Sequence, residues 1–229
     1  YERIGAPFTE GDYTYYYKND GLQNQSVLYR KDKQGKEEIF LNPNTFAADG
    51  TTSLATIAFT EDGSLVAYLI SEGGSDWRKA IVLNTKTKQQ VGDTLVDVKF
   101  SGVAWKGNEG FFYSSYDKPK GSELSAKTDQ HKLYYHKLGT PQKEDVLIFG
   151  GSAAEKYRYV SGTTSEDGRY LFISAANATS GNKLFLKDLT NLKNPLVAIT
   201  NDLESDIHFL TVKDKYIYFE TNRNRSEER

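Results

Sequence analysis

The sequence has 229 residues, 38% of them hydrophobic and 13% aromatic, enough to bury the core of one large all-β domain. Twenty-nine basic against thirty-one acidic residues leave a formal charge of -2, which gives no electrostatic footprint for nucleic acid or an anionic membrane surface. The lack of cysteine excludes a disulfide framework and a thiolate metal site, and no apolar run approaches the roughly 18 residues of a membrane helix.

Strands are expected throughout, in groups separated by turn residues. Over residues 1–50 they fall at Tyr13–Lys18, Ser26–Arg30 and Glu38–Leu41, joined by Asn19-Asp20-Gly21 and Lys33-Gln34-Gly35-Lys36. Over 51–100 they fall at Leu54–Phe59, Leu65–Ser71 and Lys79–Asn84, with a fourth near Gln89–Val91. The group at 101–150 reads Gly102–Trp105, Phe111–Ser115, Lys132–Lys137 and Asp145–Phe149, with a polar insertion at Tyr116–His131. The group at 151–203 reads Tyr157–Thr163, Tyr170–Ser174, Lys183–Asp188 and Leu196–Thr200, and 204–229 begins another with Asp206–Val212 and Tyr216–Thr221. Leu65–Ile70 is almost wholly apolar, as a strand packed on both faces should be.

One cassette recurs through these groups: a turn, usually acidic or with glycine, then a strand of aromatic and β-branched residues. It is seen at Gly11-Asp12, Glu61-Asp62-Gly63, Asn108-Glu109-Gly110, Glu166-Asp167-Gly168 and Lys213-Asp214-Lys215. Taking Gly11, Gly63, Gly110, Gly168 and Asp214 as the marks, the intervals are 52, 47, 58 and 46 residues. A period of roughly 40–50 residues with several strands per repeat is that of a β-propeller blade. The expected fold is therefore all-β, a partial propeller of about four four-stranded antiparallel blades plus the start of a fifth. The absence of an initiator Met or signal pattern at Tyr1, and a polar end directly after a strand, suggest an internal piece of a longer protein.

Residues with chemical potential are few. His131, His136 and His208 lack metal-ligand spacing and read as surface or half-buried strand histidines. No Gly-x-Ser-x-Gly elbow occurs, and Gly73-Gly74-Ser75 and Gly150-Gly151-Ser152 lack the Lys-Ser/Thr and helix of a phosphate loop. The acidic turns read as hairpin chemistry rather than calcium sites, so no metal and no cofactor is expected. Asn24-Gln25-Ser26, Asn177-Ala178-Thr179 and Asn224-Arg225-Ser226 match glycosylation acceptors, a pattern common by chance.

An ordered set of segments is more specific. It comprises Gly21–Tyr29, Phe40–Asn44, Ala58–Gly63, Gly74–Trp77, Val98–Trp105, Phe112-Tyr113, Lys132–Thr140 and Tyr218–Arg223. In this order and spacing they resemble the propeller of the prolyl oligopeptidase family along the whole chain. The resemblance implies a seven-bladed propeller joined to an α/β-hydrolase domain that cuts short peptides after proline with a Ser-Asp-His triad. The propeller would act as a filter over the active site, and this chain, carrying no triad residue, would be inactive alone. The implied partners are short proline-containing peptides and the hydrolase domain, with self-association through open blade edges. Two positions carry over by motif: Phe112, as the aromatic lining the peptide pocket beyond the proline subsite, and Asp76, as an aspartate facing the hydrolase domain. Motifs around Tyr159 and Ala178, where the family places further pocket contacts, diverge and are left unassigned. Rival readings are an oligopeptidase B-like peptidase and a non-enzymatic propeller that binds proteins. The compartment, cytoplasmic or periplasmic, is open.

Overall fold

The computed structural model describes residues 1–117 and 130–224. The chain divides into two compact units, Tyr1–Asp97 and Val98–Arg229.

The first unit is built on two antiparallel sheets. The first holds β1 (Arg3–Ile4), β2 (Phe8–Glu10), β3 (Tyr13–Asn19), β4 (Val27–Lys31) and β5 (Glu37–Leu41). Both β1 and β2 pair with β3, with Arg3 opposite Asn19 and Phe8 opposite Tyr15, so one broken strand edges the three expected from sequence. The second runs β6 (Thr52–Phe59), β7 (Leu65–Glu72), β8 (Trp77–Asn84) and β9 (Leu95–Lys99). The strand expected near Gln89–Val91 is not the fourth. Its Gln90 forms a single bridge to Leu83, because the chain turns back tightly at Lys88, which adopts φ 58°, and then runs on to β9.

Tyr15, Leu28, Phe40 and Leu41 of the first sheet share a core with Val66, Tyr68, Ile70 and Leu83 of the second. Inside it, Arg30 is 2% exposed. Its guanidinium lies 4.0 Å from the Tyr13 ring centroid, donates to Glu38 at 2.7 Å and also to the Thr85 carbonyl. A buried arginine is tolerable only with its charge paired and its donors used, and here both conditions hold.

The second unit holds three sheets: β10 (Ala104–Lys106), β11 (Gly110–Ser115), β12 (Lys132–Lys137) and β13 (Val146–Phe149); β14 (Tyr159–Thr164), β15 (Tyr170–Ala176), β16 (Lys183–Asp188) and β17 (Leu196–Thr200); and the pair β18 (Ile207–Lys213) with β19 (Tyr216–Thr221). All strand pairs with assigned register are antiparallel. The insertion expected between β11 and β12 lies, from 118 to 129, outside the described residues. Strand β15 shows why such strands read as continuously apolar. Leu171, Ile173 and Ala175 enter a core with Phe112, Leu133 and Val160, while Phe172 faces the other way, against Leu184 and Ile207. There Phe172 stacks on Phe209, centroids 3.9 Å apart.

The cassette turns do more than reverse the chain. Gly11 and Gly63 adopt φ 58° and 68°, and a Cβ on Gly63 would sit 2.4 Å from the Gly11 nitrogen, so the turns of neighbouring sheets touch backbone to backbone. In the third repeat the left-handed glycine is Gly107, at φ 52°, rather than Gly110. Gly110 begins β11, where a Cβ would lie 2.1 Å from the His136 carbonyl oxygen, so its requirement is space.

Candidate functional site

The residues singled out by motif lie in different surroundings. Phe112, on β11, is 1% exposed, with its ring 5.0 Å from that of Tyr135 in the core shared with Val160. Asp76 is exposed in the β7–β8 connection, whose shape is set by Gly73 and Gly74 at positive φ and by Ser75, whose carbonyl accepts from Ser71 Oγ at 2.7 Å and whose Oγ accepts from Trp77 N at 3.1 Å.

Two neighbouring aromatics of the second unit, Phe100 and Tyr159, are accessible instead, 42% and 45% exposed, ring centroids 6.4 Å apart. Phe100 has φ 50°. A left-handed backbone costs a bulky residue about 1–2 kcal/mol, and such strain persists where the surroundings over-determine it. The Lys99 ammonium lies 5.3 Å from the Phe100 ring, and Tyr116 meets that ring edge-on at 6.1 Å. Together they form an apolar wall with one cation at its margin.

The wall stands on a buried polar scaffold. His131, 1% exposed, contacts the Lys99 carbonyl through Nε2 at 2.9 Å and accepts from the Val160 N–H at Nδ1, at 2.8 Å. A carbonyl only accepts and an amide N–H only donates, so the ring is neutral with its proton on Nε2. Burial holds its pKa down at about 4. The Tyr116 ring stacks on the imidazole at 4.3 Å and its hydroxyl, with its pKa pushed up to about 12 by burial, donates to the Arg158 carbonyl. Ser114 completes the scaffold, its N–H donating to Ser101 Oγ at 2.7 Å and its Oγ to the Val160 carbonyl at 2.7 Å.

His136 is buried as well, donating from Nδ1 to Asp145 at 2.7 Å. Tyr113 donates to the other Asp145 oxygen at 2.7 Å, and burial raises that phenol's pKa. Thus two of the three histidines are fully enclosed rather than half-buried or on the surface, because each spends its polar atoms on backbone or carboxylate partners. His208 is exposed. The His136–Asp145 pair, with Tyr113, ties β11 and β12 to the turn that leads into β13. Among the described residues no group of three His, Asp or Glu side chains could hold a metal ion. No helix is long and apolar enough to cross a membrane.

A groove of about 420 Å³ opens in the first unit beside Tyr17, Pro43, Leu54 and Ile57. The Gln25 amide at its edge is already engaged, donating to the Thr52 carbonyl at 2.8 Å and accepting from Leu54 N at 3.1 Å. It acts as a clip between the two sheets. Asp62 and Asp167 likewise accept through Oδ1 inside their own turns, from Thr60 and Ser64 and from Ser165 and Arg169.

Residues 1–229 match the family model described as prolyl oligopeptidase, N-terminal beta-propeller domain. The chain belongs to this family. It is 57% identical over 225 residues to the prolyl endopeptidase of Elizabethkingia miricola, covering 98% of this chain and 32% of that protein. The prolyl endopeptidase of Elizabethkingia meningoseptica is 54% identical over 230 residues, covering 100% of this chain and again 32% of the relative. Among solved structures, prolyl oligopeptidase B from Galerina marginata, bound to a 35mer hydrolysis and macrocyclization substrate, superposes with a TM-score of 0.85 at 27% identity. That match covers 97% of this chain and 34% of the other. The chain thus spans about a third of the length of the relatives it matches. The family assignment makes the five sheets those of a partial β-propeller, all-β as expected from the repeat.

Proposed function

We propose that this chain is the substrate-gating part of a serine peptidase that hydrolyses short peptides after proline, with the catalytic groups on an α/β-hydrolase domain outside the chain. The observation that carries this is the end-to-end family match together with 57% identity to a prolyl endopeptidase. In this reading the propeller excludes large folded substrates and presents surface to the peptide segment beyond the proline subsite. Phe100 and Tyr159 supply that surface, since both rings are exposed and Phe100 is held in a strained backbone, while Phe112 lies in the core of the same unit. Asp76, exposed in the β7–β8 connection, is the contact for a cation of the hydrolase domain.

The test is hydrolysis of matched proline-ended and arginine-ended peptides by the intact protein. Preference for proline supports the reading, whereas preference for arginine favours an oligopeptidase B-like enzyme. No cleavage of either makes the chain a binding module. The 229-residue chain alone is expected to hydrolyse neither. With Leu210, Tyr216 and Tyr218 exposed on the two-stranded sheet, the chain alone is also expected to self-associate, and sedimentation as a monomer at high concentration would contradict that.

A further inference from the structure

We propose that His131 is a positioning residue that sets the spacing of the Phe100–Tyr159 wall, and through it tunes how strongly an extended peptide is held. The inference rests on the functional reading above, but its geometry stands apart from it. Each imidazole nitrogen is bonded to a peptide group next to a wall residue. Nε2–H donates to the Lys99 carbonyl, which lies in the peptide plane leading into Phe100. Nδ1 accepts from the Val160 N–H, which lies in the plane leaving Tyr159. One rigid ring therefore fixes two peptide planes, far apart in sequence, on which the two exposed rings are carried.

Tyr116 reinforces the arrangement. It stacks on the imidazole, meets Phe100 edge-on, and ties down the Arg158 carbonyl, in the peptide plane entering Tyr159. The left-handed conformation of Phe100 needs such restraints, and the bond to the carbonyl before it is one of them. A purely space-filling ring could occupy this position but would make neither of the two hydrogen bonds. Donor and acceptor on opposite sides of one planar ring is the specification that histidine meets.

The test compares wild type, His131→Phe and His131→Gln in the intact protein. Phe keeps a stacking ring and loses both hydrogen bonds, and Gln keeps one donor and one acceptor. Two substrates cleaved after proline are used, one whose amino end is the residue before proline and one extended upstream of it by an aromatic residue. In His131→Phe the KM of the extended peptide relative to the short one should rise about threefold to tenfold, the worth of an aromatic contact, with Gln restoring most of it. Parallel changes in both KM values, or a fall in kcat alone, would mark a generally structural role and overturn the proposal. A second measurement needs no activity: the nuclear Overhauser contact between the Phe100 and Tyr159 rings should persist in wild type and Gln and vanish in Phe. Its survival in His131→Phe also overturns the proposal. If wild type cleaves no proline peptide, the functional reading fails, and the ring contact alone decides the role of His131.

Discussion

Lowering the pH should unfasten the buried imidazole of His131. The unfolded chain takes up a proton there near the ordinary value of 6.5, and the folded chain only at about 4, because burial disfavours the cation. Between these values the unfolded state binds more protons, so stability falls as pH falls through the window and levels off below it. The gap corresponds to about 3 kcal/mol. The described contacts of the ring do not favour a cation: the Tyr116 ring stacked on it is a phenol, and one of its two hydrogen-bond partners is an N–H donor. A protonated ring would also point an N–H at the Val160 N–H, turning a hydrogen bond into a repulsion. Urea unfolding at pH 7, 6, 5 and 4 measures the effect, with His131→Gln as a reference that cannot titrate. The carboxylates contribute equally to both proteins, so the difference between the two curves isolates the imidazole. Wild type should lose about 3 kcal/mol more than the variant across the series. Curves that fall in parallel would refute the assignment of a neutral, enclosed His131.

Phe112→Ala should destabilise the chain by about 3–5 kcal/mol through the cavity it leaves, whereas Phe100→Gly should stay within about 1 kcal/mol of wild type because relief of the left-handed backbone offsets lost ring contacts. Chemical denaturation of both separates a core ring from a presented one. Gly63→Ala should cost clearly more than Gly168→Ala, at least 2 kcal/mol as an order-of-magnitude estimate, because both have φ 68° but the nearest atoms to the new Cβ lie at 2.4 Å and 3.6 Å. Equal melting shifts would show that backbone strain alone sets the glycine requirement. Arg30→Met should cost less than Glu38→Gln, since the first removes a buried charge and the second strands one, an effect of up to about 3 kcal/mol reduced by the partial exposure of Glu38. Thermal melts of the two variants decide the order.

The sheets were largely legible because each strand is short, aromatic-rich and bounded by turn chemistry that has few alternatives. The reading failed where tertiary contacts outweigh local pattern. Leu95–Lys99 looks like one more stretch of a loop, yet it supplies the fourth strand, because the turn at Lys88 ends the preceding hairpin after a single bridge. Phe100 falls between the expected strands, and nothing in Val98-Lys99-Phe100-Ser101 announces a left-handed aromatic. By strand pattern Phe112 reads as a core aromatic, in keeping with its 1% exposure, and its pocket role rests only on the resemblance of its motif. His131 lacked any sequence signal beyond an isolated histidine next to a polar insertion, since both of its partners are backbone atoms.

The glycines explain why the repeat is visible at all. A positive φ does not by itself demand glycine here: Lys88, Asp97, Phe100, Asp214 and Asn224 all adopt one. The demand arises where the turn of one sheet lies against the turn of the next, as Gly11 and Gly63 do, leaving no room for a Cβ. Asp214 fills the same turn position in the last copy, with φ 55° and an exposed side chain. That copy thus meets the backbone requirement without the steric one, and an acidic residue with local hydrogen-bonding capacity suffices. In the first two cassettes glycine therefore reports sheet-to-sheet contact, whereas Gly107 and Gly168, with no close atom at the Cβ position, answer to turn conformation. For the first two cassettes the contact fixes the turns against each other and places no condition on the length of chain between them.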